Sequence, residues 1–339
     1  MTWHVRPARA GDLDALLEMA KLTGGGFTNL PPDRDALAAR LSKSAASFAA
    51  DLTAPVDEMY LLILEQTSTR RIGGTAAVFS RIGAEWPFYS YKISMVSQTS
   101  RALARTFSMR LLNLTTDHDG ASEVGGLFLH PDLRTGGLGR LLARSRYLFI
   151  ASHRARFADT LLAELRGVLT DDGDSPFWDG LGRRFFGMEF READEFNSLN
   201  GNQFIADLMP KSPVYVALLS EAAQAVIGRP HPRGVAALKM LEAEGFRYDN
   251  YVDIFDGGPT VTCPTDLART IANSRAAAVS ELIDGVDGLP RALLASGQLN
   301  DFRSWIGHAD SCAGGLVLPA GEAELMRVAV GDEVRHVGL

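Results

Sequence analysis

An α/β (α+β) fold is predicted by three observations. Strand-like apolar runs alternate with amphipathic helical runs from the N-terminus onward. The run Gly125-Gly126-Leu127-Phe128-Leu129 leads through His130-Pro131-Asp132-Leu133 into a glycine-rich turn, Arg134-Thr135-Gly136-Gly137-Leu138-Gly139, and then a helical run from Arg140 to Phe149. A further passage joins the helical run Val235 to Glu244, stopped by Gly245, to the alternating run Phe246 to Phe255.

Taken in order, Trp3 to Arg6 reads as a strand, and Asp12 opens a helix with Leu13, Leu16, Leu17 and Ala20 on one face. Gly24-Gly25-Gly26 and the following Phe27 to Pro32 read as a loop, and Asp35 to Ala50 as a helix. Met59 to Glu65 and Ile72 to Phe79 form a hairpin across a polar turn, with further β structure expected at Trp86 to Met95. Beyond the glycine turn, Leu161 to Leu169 reads as a strand, and Ser175-Pro176 starts a helix. Gln203 to Pro210 reads as a strand, and Val214 to Ile227 as a helix. After the break at Asp256-Gly257-Gly258-Pro259, a helix is expected around Leu267 to Ile283, then short β segments. The passages before and after residue 200 are compatible with a degenerate internal repeat, or with shared element order alone.

Composition narrows the function. Of 339 residues, 46% are hydrophobic and 22% charged, which gives an ordered globular chain long enough for two domains. A net charge of -7 argues against nucleic acid or an anionic membrane as partner. Cys263 and Cys312 lack metal-type spacing, so neither a disulfide framework nor a metal site is expected. The start Met1 to Ala8 lacks signal-peptide character, and no apolar run approaches membrane-spanning length; a cytoplasmic protein is expected.

Arg134, Gly137 and Gly139 stand at the spacing R-x-x-G-x-G. Glycines let a backbone approach an anion, and the amides and dipole of a helix start supply positive potential. The pattern is neither a dinucleotide fingerprint nor a P-loop. Arg134, Arg140, Arg144 and Arg146 add local positive charge, or form a solvated helix face.

With this turn following a β-α-α-β-β succession, the chain resembles the GNAT superfamily of CoA-dependent N-acyltransferases. Within it, the chain is similar to the arginine N-succinyltransferase family. The strings that carry the closer resemblance are Thr23 to Pro31, Ser175-Pro176-Phe177-Trp178-Asp179-Gly180 on to Phe186, Phe204 to Lys211, and Tyr251-Val252-Asp253-Ile254-Phe255-Asp256-Gly257-Gly258-Pro259-Thr260. The second and fourth are far more specific than the glycine loop. Ser212 departs from the histidine often found there.

The resemblance implies a mixed, strongly twisted sheet flanked by helices, with a second GNAT-like half and a small C-terminal β-rich appendage. The corresponding segments are 1–195 for acyl-CoA binding, 196–258 for a second α/β segment, and 259–339 for a mixed or β-rich region. It implies succinyl-CoA as acyl-donor substrate with no permanently bound cofactor, and L-arginine, or ornithine, as acceptor. His231 matches the family's proton donor and Leu127 its succinyl-CoA contact. Leu129 and the turn residues Arg134, Thr135, Gly136, Gly137, Leu138, Gly139 and Arg140 would cradle the CoA. Partners would be a second copy or a related second subunit.

Direct attack of the amine on the thioester is the expected mechanism. It needs a free amine, a stabilised oxyanion and a proton for the departing thiolate. Imidazole titrates near neutrality and suits the proton steps. A histidine before proline also serves as a plain cap; only the family match singles out His231 over His118, His130 and His153. Backbone amides from Gly125 to Leu129 are candidates for polarising the thioester carbonyl. Cys263 offers an alternative acyl-enzyme route, ranked below direct transfer because a lone cysteine is more often a small buried hydrophobe. Asp253 and Asp256 are candidates for the acceptor's guanidinium, or turn residues. Gly25 and Gly26 are candidates for a flap over the amino acid. Arg166, Arg183 and Arg184 are candidates for the succinyl carboxylate.

Overall fold

The computed structural model describes residues 2–22, 30–134, 136–200, 203–312 and 314–339. Gly25, Gly26 and Thr135 lie outside them. Two compact units form: Met1–Ser80 with Val124–Asp159 and Pro264–Leu339, and Arg81–Glu123 with Thr160–Cys263.

In the first unit a mixed sheet runs in the order Asp310–Cys312, Gly315–Pro319, Arg275–Ile283, Glu333–Gly338, Arg291–Ser296, Arg303–His308, Trp3–Pro7, Met59–Gln66, Ile72–Phe79, Ser122–Leu129. The N-terminal strand joins both ends of the chain, pairing antiparallel with Met59–Gln66 on one side and with Arg303–His308 on the other. Helix Arg34–Ala49 packs on this sheet, where Ser44 and Ser47 hydroxyls accept the Leu61 and Met59 amides at 3.0 and 3.1 Å. Helix Leu138–Ser152 buries Leu141, Leu142, Leu148, Phe149 and Ile150. Phe149 meets Phe48, Tyr60 and Phe302 at ring separations of 5.5, 5.0 and 5.1 Å, a range in which aromatic pairs attract.

The second unit carries the order Thr160–Glu164, Pro259–Pro264, Arg247–Asp253, Ser90–Ser100, Arg105–Thr115, Val214–Tyr215. Ser122 and Glu123, the first residues of Ser122–Leu129, pair in parallel with Leu161 and Leu162. Its core contains Phe177, Trp178, Leu181, Ile205, Val252, Ile254 and Phe255. The two most specific strings of the sequence therefore pack together. Trp178 stacks on Phe255 with centroids 5.4 Å apart, and Ser175 Oγ donates to Phe255 O at 3.2 Å while capping the Trp178 amide at 3.1 Å.

The mixed α/β class and most N-terminal elements agree with the sequence reading; three later elements differ. Gln203 to Pro210, expected as a strand, contains the helix Gln203–Leu208. Its buried residues Ile205 and Met209 are four apart, a helical period hidden in a short apolar run. Val214 to Ile227, expected as one helix, is a two-residue strand, the 3-10 turn Val216–Leu218 and the helix Glu221–Val226, restarted by Ser220, whose side chain accepts the Ala223 amide. Leu267 to Ile283 is the short helix Arg269–Asn273 followed by the strand Arg275–Ile283. The helix-favouring run Ala276-Ala277-Ala278 is held extended by antiparallel pairing to Glu333–Gly338, and the strand's later residues pair in parallel with Gly315–Pro319. The strand Arg105–Thr115, which the sequence reading lacked, pairs along its whole length with Ser90–Ser100.

Candidate active site

The glycine turn belongs to the first unit. Strand Ser122–Leu129 alternates buried Val124, Gly126 and Phe128 with half-exposed Gly125, Leu127 and Leu129, so Leu127 and Leu129 share the more accessible face. Gly126 has a φ of 57°, a left-handed backbone inside a strand that glycine adopts without strain and that turns a peptide out of line. Arg146, buried in the following helix, donates to Gly125 O at 3.2 Å and braces this irregular point. Gly136 and Gly137 have φ of 76° and 85°, and a Cβ built on either meets open space. Gly137 caps helix Leu138–Ser152, whose first turn holds no acidic residue. The Arg140 amide donates to Gly137 O at 3.0 Å, which leaves the Leu138 and Gly139 amides as the first-turn donors without an intrahelical acceptor. The turn thus presents backbone donors and a helix start to an uncrowded surface, which suits an anion.

The arginines there divide. Arg134 and Arg140 are exposed, with Arg134 Nε 3.4 Å from Leu129 O. Arg144 donates to Thr270 Oγ1 and Arg146 to backbone carbonyls, so these two brace the fold. Leu138 and Gly139 are half-exposed at the helix start.

His231 belongs to the second unit and opens the 3-10 turn Pro232–Gly234, ahead of helix Val235–Glu244. Its backbone amide donates to Arg166 O at 2.7 Å, and Pro230 bridges to Gly167. Its Nδ1 accepts the Arg233 amide at 3.1 Å. That bond places the ring proton on Nε2 when the imidazole is neutral. Burial, then the cations of Arg166 and Arg233, hold the imidazole below its ordinary pKa. The neutral ring therefore dominates at pH 7. His130 repeats this device in the first unit: it precedes Pro131, its Nδ1 accepts the Asp132 amide at 3.3 Å, and a 3-10 turn again leads toward a helix.

Around the segment that supports His231 the second unit gathers carboxylates. Glu164 ends strand Thr160–Glu164 and receives Thr260 Oγ1 at 3.4 Å. Burial, with repulsion from Asp253, Glu123 and Asp256, holds the Glu164 carboxyl well above the usual range. Asp253 is also raised by burial, against the amides of Phe255 and Asp256, which its Oδ1 accepts at 2.7 and 2.8 Å. Asp194, on helix Phe190–Asn200, is pushed up to about 6 by burial and by Asp253. Glu164, Asp194 and Asp253 are part-buried, and both Glu164 and Asp194 feel the charge of Asp253. A bound cation there would relieve their mutual repulsion.

Asp256 is different. Its Oδ2 accepts the Gly167 amide at 2.7 Å and its Oδ1 the Gly258 amide at 2.8 Å, so both oxygens hold the turn. The turn is tight: a Cβ on Gly258 would stand 2.1 Å from Leu165 O. Arg183 pairs with Asp179 and Glu189 on the surface, and Arg184 is exposed. Cys263 is buried, its thiol pushed up first by burial and then by Glu244, which disfavours a thiolate nucleophile.

The sequence reading missed Glu164 and Asp194. Glu164 carried a signal, a lone charge inside the apolar run Leu161 to Leu165; Asp194 sits among other charges of a polar helix and carried none. Among the described residues no group of three or more His, Cys, Asp or Glu side chains is disposed to hold a metal ion. No helix among them is long and apolar enough to cross a membrane.

A family model described as arginine N-succinyltransferase beta subunit matches residues 3–270, and one for that subunit's C-terminal domain matches 274–338. Arginine N-succinyltransferases of Enterobacter sp. and Salmonella paratyphi B are 41% and 40% identical over 336 residues, 99% of this chain and 97% of each relative. A solved structure described as arginine/ornithine succinyltransferase subunit AI from Pseudomonas aeruginosa superposes with a TM-score of 0.87 at 35% identity, covering 99% of this chain and 98% of that one. The chain belongs to the arginine N-succinyltransferase family.

Proposed function

We propose that this acyltransferase moves a succinyl group from succinyl-CoA to the α-amino group of L-arginine, the opening step of a succinyl-dependent breakdown of arginine. The observation that carries the acceptor assignment is the carboxylate cluster in the second unit, where burial and mutual repulsion hold Glu164 and Asp194, and burial holds Asp253, above their usual pKa range. A guanidinium and an amine are the cations that arginine brings. The donor assignment rests on the family and on the glycine turn at Gly136 and Gly137.

In this reading the neutral amine attacks the thioester carbon. A C–N bond forms, the carbonyl oxygen becomes an oxyanion, and collapse breaks the C–S bond. The proton lost from the amine balances the one gained by the thiolate. His231, with its proton on Nε2, hydrogen-bonds the sulfur as charge develops there, while the proton released by the attacking nitrogen passes to the departing thiolate, so the imidazole ends the step neutral as it began. The turn and the exposed Arg134 and Arg140 hold the CoA phosphates.

The test is thiol release by the purified chain with L-arginine and succinyl-CoA, with acetyl-CoA and ornithine as comparators. Turnover with succinyl-CoA above acetyl-CoA is expected. Absence of turnover with any basic amino acid would sink the reading. The Pseudomonas relative is described as a subunit. We therefore propose that this chain also assembles, with a second copy or a related subunit, to be read from its solution mass.

A pH-dependent result follows from the raised carboxyls. Carboxyls raised on folding bind protons more tightly in the folded than in the unfolded state, so stability falls as pH rises from the ordinary carboxylate range through the raised values, about 6 for Asp194. The melting temperature is expected to drop by at least about 2 °C between pH 5 and pH 8. Saturating L-arginine should shrink that drop, and an equal drop with and without arginine would remove the cation site.

A further inference from the structure

We propose that Arg166 receives a substrate carboxylate, so that the site beside His231 reads an anionic group as well as cationic ones. The inference rests on the transferase reading above.

The backbone around Arg166 is fixed from several directions. Its carbonyl accepts the His231 amide at 2.7 Å, the next residue's amide donates to Asp256 at 2.7 Å, and Gly167 bridges to Pro230. The side chain on this fixed backbone is half-buried, and its Nε is buried without a hydrogen-bond partner. Among the described residues no carboxylate lies within 4 Å of its guanidinium.

The chain's fully buried arginines are not left this way. Arg6 is held by both oxygens of Asp12 and by Glu65. Arg146 donates to Ala143 O and Gly125 O, and Arg156 to Tyr60 Oη and Ala50 O. Burying a guanidinium without partners costs free energy that a fold ordinarily recovers by pairing. Asp256 and Asp194 stand near enough to attract Arg166, but burial outweighs them and lowers its pKa. Asp256 has spent both oxygens on backbone amides. An incoming carboxylate would take the open donors, and the planar fork of a guanidinium suits its geometry.

Both substrates carry a carboxylate, the far end of the succinyl group and the α-carboxylate of arginine. The test separates them through two ratios of kcat/KM, measured in wild type, Arg166→Met and Arg166→Lys. One ratio compares succinyl-CoA with butyryl-CoA, which has a methyl in place of the carboxylate. The other compares L-arginine with agmatine, which lacks the α-carboxylate. In Arg166→Met one ratio is expected to fall by about 10- to 100-fold, while the other stays within about threefold. Arg166→Lys, keeping charge without the fork, should fall between. A drop in the donor ratio assigns the succinyl carboxylate; a drop in the acceptor ratio assigns the α-carboxylate. If neither moves, or both fall together, the proposal is overturned. Ratios taken within one preparation cancel any loss of folded protein. The same pairs of ligands compared by thermal shift, without turnover, test Arg166 even if the transferase reading fails, and unchanged ligand discrimination in Arg166→Met would then overturn it.

Discussion

Replacing His231 with alanine is expected to lower kcat for succinyl transfer by about 10²- to 10³-fold, the contribution usual for one donor aimed at charge that develops in the transition state. Binding should change far less, because the half-exposed ring caps a short surface turn. Single-turnover thiol release separates the two. Wild-type pH dependence supplies an independent check. In the proposed mechanism the active form is the neutral imidazole, whose proton sits on Nε2 while Nδ1 accepts the Arg233 amide. Its pKa lies below the ordinary value, so activity should persist at mildly acidic pH and fall only as pH drops through that lowered value. Substituting Arg233 by glutamine removes one of the two cations opposing imidazolium and should shift the acid limb upward. A His231→Ala enzyme with undiminished kcat would exclude the assignment.

Trp178→Ala should produce the largest loss of stability, about 3–5 kcal/mol. The indole is fully buried, stacked between Phe186 and Phe255 at 5.4 Å on each side, and its Nε1 donates to Met188 O at 2.9 Å. Gly182 is glycine because a Cβ would come within 2.3 Å of the indole ring. Trp178→Phe keeps an aromatic ring but strands the Met188 carbonyl, and should cost about 1–3 kcal/mol. Urea denaturation would read both through the midpoint. The alanine variant should also weaken arginine binding, because Phe255 lies between Asp253 and Asp256, whose turn it anchors. Equal urea midpoints for wild type and Trp178→Ala would show that the stacked core does not hold this unit together.

The parts of the fold that were legible in the sequence are those where one local signal decides. The helix expected from Asp35 to Ala50 forms as Arg34–Ala49, the hairpin of Met59–Gln66 and Ile72–Phe79 follows apolar runs across a polar turn, and the glycines at 136 and 137 adopt the positive φ that their residue type permits. The elements that departed are those where distant partners overrule local preference. Ala276 to Ala278 would favour a helix in isolation, yet strand Glu333–Gly338 captures them. Arg105–Thr115 is largely exposed and lacks clean alternation, so only its pairing partner makes it a strand.

The same division runs through the site. Sequence alone determined the family, through the strings 175 to 186 and 251 to 260, and with it His231, Leu127 and the glycine turn as candidates. It also left Asp253 and Asp256 equivalent, and Arg166, Arg183 and Arg184 equivalent. Tertiary structure separated them. Asp256 gives both oxygens to backbone amides, whereas Asp253 gives its turn one oxygen; Arg183 is paired on the surface, whereas Arg166 is half-buried with an open donor. The physical reason is that a carboxylate or guanidinium takes its role from what neutralises it. The residue type fixes the charge, but only the folded chain fixes whether that charge is already satisfied or waits for a ligand.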